Sequence, residues 1–379
     1  MQKRRLRRIR IPMPQRIQIR LLDKYIFREV CTTFLFGICA FSAVFIGSGT
    51  LYRIAQYVTE YGASFSAVVK MFIFSLPSII IYTFPMSMLL AALLTFGRLS
   101  ASSEITAMKS CGVSFQRIAA PAIALGFFVS VVAILFNEHV VPRANSAYSN
   151  VIAYEIQSGT NPRSQDHIII KEIKDGQMQR LMYARRYDAD SQIMEGVTLQ
   201  SFENGETSYV ENAAYAKWEG NQWTMYQGVI YEISNGKSEH TMRFDKQTLP
   251  INAGPARIVR EQKKPEELTM RELRQQIEIM HGQFVDTKKL ETELYQRITI
   301  PMASLVFALI GVPLGLQPNR SSSSKGFGIS LVIIFIYYVL MTVAGAIAQS
   351  GALNPAYAVW IPNVVGILVG VYLLRQAAR

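Results

Sequence analysis

The sequence predicts a membrane protein in which an α-helical bundle of six transmembrane spans carries an inserted all-β domain. Half of its 379 residues are hydrophobic, yet 17% are charged, a balance too apolar for an ordinary soluble domain and too polar for a membrane bundle alone. Apolar runs long enough to cross a bilayer occur both before and after residues 157–251, which have strand periodicity. The spans therefore form two groups of three, a 3+3 arrangement with the β domain between the groups.

The first group of spans occupies residues 30–156 and follows a basic N-terminus with an amphipathic lead over residues 1–29. The second apolar run contains Pro77 and Pro85, which remove backbone hydrogen-bond donors and predict kinks. This run is also longer than the hydrocarbon core is thick, so it should tilt or project beyond the bilayer at one end. The three runs cover about 30–51, 65–96 and 118–136.

Residues 157–251 alternate between apolar and polar positions and are divided by turn dipeptides. Each dipeptide joins Gly to Asp or Asn, the residues that two-residue hairpin turns require because they tolerate positive φ. We therefore expect an antiparallel sheet, although the pattern leaves a sandwich, a jelly roll and an open meander as alternatives. The dipeptides are Asp175-Gly176, Asn204-Gly205, Gly220-Asn221 and Asn235-Gly236. The expected strands are His167–Lys174, Gln179–Tyr187, Ile193–Phe202, Ser208–Trp218, Trp223–Ile233 and His240–Phe244.

Aromatic side chains are frequent in these strands, and we expect them to pack a core rather than to contact a ligand. Their positions are Tyr209, Tyr215, Trp218, Trp223, Tyr226 and Tyr231.

Residues 252–297 are predicted to form a helical connector outside the membrane, because Pro265 is followed by acids and then by apolar residues at helical intervals. The second group of spans lies in residues 298–379, and the serine-rich run 321–324 within it is typical of a flexible loop. The three apolar runs cover about 298–316, 329–349 and 356–374.

The distribution of basic residues predicts which side of the membrane each segment faces. Lysine and arginine residues beside spans are retained in the cytoplasm. They cluster in the loops 98–117 and 317–325 and at both termini, whereas the turn 350–355 carries no charge. Both termini and both basic loops should therefore be cytoplasmic, and the β domain should be periplasmic. The N-terminal cluster adjoins a span, which favours anionic lipid over nucleic acid as its partner. It consists of Lys3, Arg4, Arg5, Arg7, Arg8, Arg10, Arg16, Arg20, Lys24 and Arg28.

A polar segment between the second and third spans, Ser102–Gly112, is predicted to form a short helix at the membrane surface. Ser102 or Ser103 can act as the N-cap, and Gly112 supplies the stop. Glu104 falls in the first turn, where a carboxylate suits the helix dipole. One face joins this carboxylate to small and soft apolar groups, which suits docking to another protein, although a capped connector is the simpler interpretation. The face consists of Glu104, Ala107, Met108 and Cys111.

The sequence contains no motif for catalysis, nucleotide binding or metal binding. It lacks GxxxxGK[ST], a nucleophile elbow, HExxH and a paired-carboxylate site, so any nucleotide chemistry must belong to a partner. Its three cysteines and four histidines have neither disulfide nor zinc spacing, so we expect no cofactor and no metal. A secondary transporter is disfavoured, because the spans have essentially no ionisable residues between their ends for ion coupling. A membrane-anchored periplasmic receptor or scaffold without transport activity remains an alternative.

Four segments of the chain, in this order, carry a family resemblance. They are Leu22-Asp-Lys-Tyr-Ile-Phe-Arg-Glu29; Gly97-Arg-Leu-Ser100 with Glu104-Ile-Thr-Ala-Met-Lys-Ser-Cys-Gly-Val-Ser114; Glu293-Leu-Tyr-Gln-Arg-Ile298 with Pro301; and Gly311-Val-Pro-Leu-Gly315 with Gly326-Phe-Gly328. These segments and the six-span plan resemble the LptF/LptG permeases of lipopolysaccharide export over nearly the whole chain.

The resemblance implies a function and a set of partners. The family builds a paired transmembrane unit that extracts lipopolysaccharide from the outer leaflet of the bacterial inner membrane and passes it towards a periplasmic bridge. The implied partners are a cytoplasmic ABC ATPase dimer, a second permease subunit (a paralogue or a second copy), a bridge protein with a jelly-roll domain, and lipopolysaccharide itself. The periplasmic β domain is expected to resemble a jelly roll. The family's coupling helix maps onto Ser102–Gly112 and its ATPase-facing acid onto Glu104, which overturns the connector interpretation.

Two further sets of residues are candidates for contact with the lipid. Phosphates need cations near the outer bilayer face, although basic residues at the ends of spans also snorkel to head groups. Acyl chains need inward-facing apolar positions that line a groove in the β domain instead of filling its core. The basic candidates are Arg53, Lys70, Arg143 and Arg297. The apolar candidates are Ile168, Ile170, Val197 and Leu199, with Ile169 and Thr198 as outward neighbours.

Overall fold

The structure is a computed structural model in which the chain forms two compact units. The first unit comprises the described residues within Met1–Tyr52, Leu76–Val141 and Thr269–Arg379, and the second those within Arg53–Ser75 and Pro142–Leu268. The residues that the structure describes are 21–156, 165–174, 177–189, 191–203, 206–219, 222–234, 237–249, 254–255, 263–282, 286–316 and 323–378. Most of the basic N-terminal cluster and the first two serines of the run 321–324 therefore lie outside the described residues.

Helices account for both ends of the described chain. The α-helices are α1 (Leu21–Phe45), α2 (Leu51–Tyr61), α3 (Phe65–Ala101), α4 (Glu104–Ser110), α5 (Phe115–His139), α6 (Val141–Asn150), α7 (Met270–Gly282), α8 (Lys288–Gly315), α9 (Ser323–Ser350), α10 (Pro355–Ala358) and α11 (Ile361–Ala378). Two π-helical turns, Ile46–Thr50 and Val151–Ile156, link α1 to α2 and extend α6, and a 3₁₀ turn covers Pro265–Glu267.

The prediction of six spans is confirmed. Six helical stretches among the described residues are long and apolar enough to cross a membrane. They are Leu21–Tyr61, Phe65–Ala101, Phe115–Ile156, Lys288–Gly315, Gly328–Ser350 and Pro355–Ala378.

The first three stretches are longer than the apolar runs indicate. They contain 41, 37 and 42 residues, and at about 1.5 Å per residue each is roughly 55–63 Å long, about twice the thickness of a hydrocarbon core. Hydropathy marks only the membrane-embedded part of such a helix, because its polar, amphipathic flanks are equally helical. The excess length expected for the second span is therefore a property of the first and third spans as well.

Helix α8 lies at the centre of the first unit. A Cβ atom on Gly311 would lie 2.7 Å from the Cβ of Ala92, and one on Gly126 would lie 2.6 Å from the Cβ of Ala308. Glycine at these positions lets α8 approach both α3 and α5 closely, the packing that small residues provide between membrane helices. The most apolar segments of α3 and α8 are 72% and 67% buried, whereas that of the first stretch is only 22% buried.

The prolines lie inside helices instead of ending them. Helix α3 continues through Pro77 and Pro85 as one element. In α8, Pro301 has no N–H to donate to the carbonyl oxygen of Arg297, and the Nδ2 of Asn137 donates to that oxygen instead at 3.2 Å. A neighbouring span thus supplies the hydrogen bond that the proline removes.

The second unit contains a six-stranded antiparallel sheet whose strands lie in sequence order, β1-β2-β3-β4-β5-β6. Four pairs of consecutive strands are separated by only two residues, because the last pairs of their ladders are Lys174–Gln177, Glu203–Glu206, Glu219–Gln222 and Ser234–Lys237. The predicted turn dipeptides occupy these gaps and lie outside the described residues. The strands are β1 (Gln165–Lys174), β2 (Gln177–Asp188), β3 (Ile193–Glu203), β4 (Glu206–Glu219), β5 (Gln222–Ser234) and β6 (Lys237–Leu249).

The inserted antiparallel β domain is thereby confirmed, and the described strands follow the meander among the three alternatives. The Greek-key order that defines a jelly roll does not occur among these six strands. The last strand also continues to Leu249, beyond its expected end at Phe244. The prediction ended too early because residues 245–248 are all polar and show no alternation.

One row of residues crosses the sheet from β2 to β6 and interrupts the strand pairing without changing its register. Gly196 and Gln227 in this row have φ of 60° and 53°, and in β2 and β3 successive core-facing residues are three apart instead of two. In β2, β3, β4 and β6, residues on both sides of this row contribute to one core cluster. The unpaired row consists of Arg185, Gly196, Ala214, Gln227 and Asp245.

The helical part of the second unit has its own small core. Ile54 of α2, Met71 near the start of α3 and Val151 after α6 are buried together. The connector region differs from the expected 252–297, because α7 is followed by a single helix, α8, that begins at Lys288 and continues into the fourth span.

Candidate functional site

The candidate site is built on α4, which is shorter than the predicted segment Ser102–Gly112. Its C-terminus ends as expected: Gly112 has φ of 83° and its N–H donates to Lys109 O at 2.9 Å, while Val113 N–H donates to Met108 O at 3.1 Å. This pair of bonds is a Schellman motif, which requires a residue that tolerates positive φ. The predicted stop at Gly112 is confirmed.

The predicted N-cap is wrong. Ser103 occupies the N-cap position with φ of 61°, but its side chain makes no capping hydrogen bond. Ser102 Oγ instead lies 2.9 Å from Glu104 Oε1 and 3.0 Å from Arg98 O, so its one hydroxyl hydrogen has two competing acceptors. The left-handed backbone at Ser103 points its side chain away from the first turn, so the serine pattern typical of an N-cap does not produce one here.

Glu104 is partly exposed and already has two donors. Tyr25 Oη donates to Glu104 Oε2 at 2.9 Å, and Ser102 can donate to the other oxygen. A carboxylate has about four acceptor positions, so Glu104 retains the capacity to accept a further hydrogen bond.

The rest of the predicted face is accessible. Ala107 and Cys111 are exposed and Met108 is partly exposed. Ile105, which neighbours Met108 on the helix surface, is only 3% exposed and belongs to the core cluster of the first unit, against which Met108 also packs. Ile105 was not predicted to anchor α4, although an isolated isoleucine in a polar segment was a usable signal.

Several charged side chains surround α4. Arg98 at the end of α3 pairs with Glu29, and Arg117 at the start of α5 pairs with Asp23. Lys109 donates to the carbonyl oxygen of Ala377 at 3.2 Å. Because cations stabilise the last carbonyl groups of a helix, Lys109 joins α4 to the end of α11.

The four predicted phosphate-binding cations are divided between the two units. Arg53, Lys70 and Arg143 are exposed and lie in the second unit. Lys70 forms an ion pair with Glu155 at 2.7 Å. Arg297 belongs to the first unit, where it is 6% exposed and lies 3.8 Å from Glu293. Their contact with lipid phosphate stays a prediction.

The four predicted groove residues share one face of the sheet. Ile168, Val197 and Leu199 are at most 2% exposed, and Ile170 packs against the same cluster while partly exposed. In this structure they fill a core together with Trp223. Contact with an acyl chain therefore needs this core to open, and it stays a prediction.

The aromatic residues of the sheet divide between its faces. Trp218 and Trp223 pack edge to face in the core, with ring centroids 5.3 Å apart. Tyr215 and Tyr226 stack at 5.0 Å outside that cluster, and Tyr226 Oη donates to Glu219 at 2.8 Å. The expected core packing thus applies to the tryptophans, whereas these tyrosines form a cross-strand pair on the solvent side.

A buried polar network in the spans was not predicted. Asn363 of α11 is 1% exposed, accepts a hydrogen bond from Tyr337 Oη at 2.8 Å and donates to Thr299 O at 2.9 Å. These bonds join α8, α9 and α11. The lone asparagine in an apolar run was the available signal. Among the described residues, no group of three or more His, Cys, Asp or Glu side chains is arranged to hold a metal ion.

Comparison with known proteins identifies the family. The family "Lipopolysaccharide export system permease LptF/LptG" matches residues 24–376. The chain is 23% identical to the lipopolysaccharide export system permease protein LptG of Escherichia coli K12, covering 94% of this chain and 98% of that protein. Identity to LptF of the same organism is 20%, over 76% of this chain and 77% of LptF, and identity to LptG of Haemophilus influenzae is 20%, over 94% and 99%. The chain, a multi-pass membrane protein with an inserted β domain, therefore belongs to the LptF/LptG family of lipopolysaccharide export permeases.

Proposed function

We propose that the chain is the permease subunit of an ABC transporter that extracts lipopolysaccharide from the bacterial inner membrane and passes it to a periplasmic bridge. A separate cytoplasmic ATPase supplies the energy. The observation that supports this best is α4 itself, a short helix that is anchored by Ile105 and exposes Ala107 and Cys111, on a chain that matches the family over nearly its full length. The chain has no nucleotide-binding motif of its own, so the permease is not the catalytic subunit.

The coupling step follows from the chemistry of α4. Ala107, Met108 and Cys111 would enter a groove of the ATPase, and Glu104 would accept a charge-assisted hydrogen bond from a basic residue there. Because α4 is continuous with α3 and α5 through short turns, movement of the ATPase would displace both spans.

We propose that both chain termini and α4 are cytoplasmic and that the β domain is periplasmic. Two contacts support a shared side for α4 and the ends of the first and last spans: Tyr25 with Glu104, and Lys109 with the carbonyl oxygen of Ala377. The positive-inside rule then assigns this end to the cytoplasm.

The proposed partners are an ABC ATPase dimer, a second permease subunit and a periplasmic bridge protein with a jelly-roll domain. The lipid would meet basic residues at the outer ends of the spans and then the apolar face of the sheet. Contact of phosphates with the exposed Arg53 and Arg143 is electrostatically favourable, because neither has an ion pair among the described contacts of the second unit. No role for nucleic acid follows from the basic N-terminus, which adjoins a span.

Affinity purification of the full-length chain in mild detergent tests this proposal directly. We expect a cytoplasmic ATPase and a second permease subunit to copurify, and both should be identifiable by mass spectrometry. A membrane-anchored receptor or scaffold needs no ATPase. Purification of the folded chain without an ATPase, from cells and in detergents that preserve other ABC transporters, would favour that alternative.

A further inference from the structure

Three side chains in the N-terminal turns of α1 contact α4 or the ends of the helices on either side of it. Asp23 pairs with Arg117, Tyr25 donates to Glu104, and Glu29 pairs with Arg98. Arg98 precedes α4 and Arg117 follows it, so the two ion pairs lie on either side of the bond to Glu104.

An apolar layer lies beneath these polar contacts. Ile26 and Val30 of α1 are fully buried in the same core cluster as Ile105 of α4 and Phe115 of α5. The first turns of α1 are thus held against α4 by packing and by polar contacts together. Sequence position gives no hint of this, because Tyr25 and Glu104 are 79 residues apart.

We propose that Tyr25 is a positioning residue for Glu104, and that the ion pairs of Asp23 and Glu29 hold α1 so that Tyr25 can do this. The proposal rests on the proposed function, since it concerns how Glu104 is presented to the ATPase. A glutamate on a short surface helix samples several rotamers. Binding a partner fixes one of them, and the lost side-chain entropy opposes binding. The bond from Tyr25 to one carboxylate oxygen restricts Glu104 before the ATPase binds, and Ser102, which can donate either to the other oxygen or to Arg98 O, adds to this restriction. Preorganisation of this kind strengthens binding without adding a contact.

The decisive experiment is a double-mutant cycle on the permease complex, reconstituted in nanodiscs with the ATPase that copurifies with it. Tyr25→Phe removes one hydroxyl and keeps the ring. We expect this change to weaken ATPase binding about three- to tenfold, the range for one hydrogen bond. In a Glu104→Ala background, Tyr25→Phe should have no further effect, because the group that Tyr25 positions is gone. Tyr372→Phe, which alters a tyrosine 68% exposed on α11, is the matched control and should bind normally.

Different results overturn different parts. If Glu104→Ala binds the ATPase normally, the docking role of Glu104 fails and this inference fails with it. If Glu104→Ala weakens binding but Tyr25→Phe does not, the docking role stands and the positioning role of Tyr25 is wrong. Equal weakening by Tyr25→Phe in both backgrounds would show that Tyr25 acts through general structure, which also overturns the proposal.

The ion pairs are tested by charge reversal. Glu29→Arg and Arg98→Glu alone should each weaken ATPase binding, and the double variant should recover most of the loss because the pair is restored with opposite polarity. If the double variant binds the ATPase no more tightly than the single variant with the lower affinity, the pair does not position α1. Measuring the affinity for the ATPase at low and high salt adds a readout. Salt screens partly exposed ion pairs, so the effect of each single variant should be smaller at high salt.

Discussion

Replacing Glu104 by lysine is the sharpest test of the proposed coupling. In the isolated chain, the change removes the acceptor for Tyr25 and Ser102 and puts a cation in the first turn of α4. An unfavourable charge in the first turn costs about 0.3–1 kcal/mol. Both hydrogen bonds are at least partly exposed, and Ile105 still anchors the helix. The variant should therefore fold and insert.

At the interface the effect should be much larger. Truncating one partner of a buried, hydrogen-bonded charge pair typically costs about 2–5 kcal/mol, because the other charge is left without a partner. Since each 1.4 kcal/mol is about tenfold, Glu104→Ala should weaken ATPase binding about thirtyfold or more. Glu104→Lys should be worse, because two cations then face each other.

The assay compares three quantities in the same strains: membrane insertion by fluorescence-detected gel filtration, ATPase copurification, and delivery of newly made lipopolysaccharide to the outer membrane. We expect membrane insertion to be unchanged, and ATPase copurification and lipopolysaccharide delivery to decrease together. Lys109→Ala is the control on the same helix. It removes the contact with Ala377 O without changing the docking face, so its effect should be milder.

One result would refute the reasoning. Suppose that Glu104→Lys copurifies with the ATPase and exports lipid normally. The substitution then costs at most the roughly 1 kcal/mol of an unfavourable first-turn charge, not the roughly 2–5 kcal/mol of a broken interfacial charge pair, and Glu104 is only an exposed glutamate at a helix start. The coupling role would then have to lie elsewhere in the segment between α3 and α5.

Three further predictions follow. In a cysteine-free background, single cysteines at Ser191 and Ser322 should label with a membrane-impermeant maleimide from opposite sides of the membrane; labelling from the same side contradicts the topology. A photo-crosslinker at Leu199 should capture lipopolysaccharide when ATP is supplied, whereas capture only at its outward neighbour Thr198 would mean that the lipid uses the other face of the sheet. Tyr337→Phe should lower the melting temperature in detergent, because it leaves the buried oxygen of Asn363 without its donor and such a bond is worth about 1 kcal/mol between membrane helices. An unchanged melting temperature, equal to that of the Tyr372→Phe control, would mean that the network does not stabilise the spans.

Local pattern alone determined most of the architecture. Hydropathy located all six spans, because the free energy of placing a residue in the bilayer depends mainly on that residue and its near neighbours. Alternation and the glycine dipeptides located all six strands, because both are local signals, whereas the choice of a meander over a sandwich or a jelly roll came only from the structure. Gly112 was recognised as a helix stop for the same reason, since its positive φ is a local requirement.

The tertiary structure decided what depends on contacts between distant residues. Neither the burial of Ile105 nor the bond from Tyr25 to Glu104 is visible in a local pattern, because both depend on where α1 lies beside α4. The same holds for Arg297, a charged residue at the end of an apolar run that proved to be buried beside Glu293. It also holds for the row through Gly196 and Gln227, on both sides of which β2, β3, β4 and β6 contribute to one core. Periodicity indicates which face of a single helix or strand is buried. The position of a side chain in a site depends instead on how separate helices and strands pack, and this packing exists only in the folded chain.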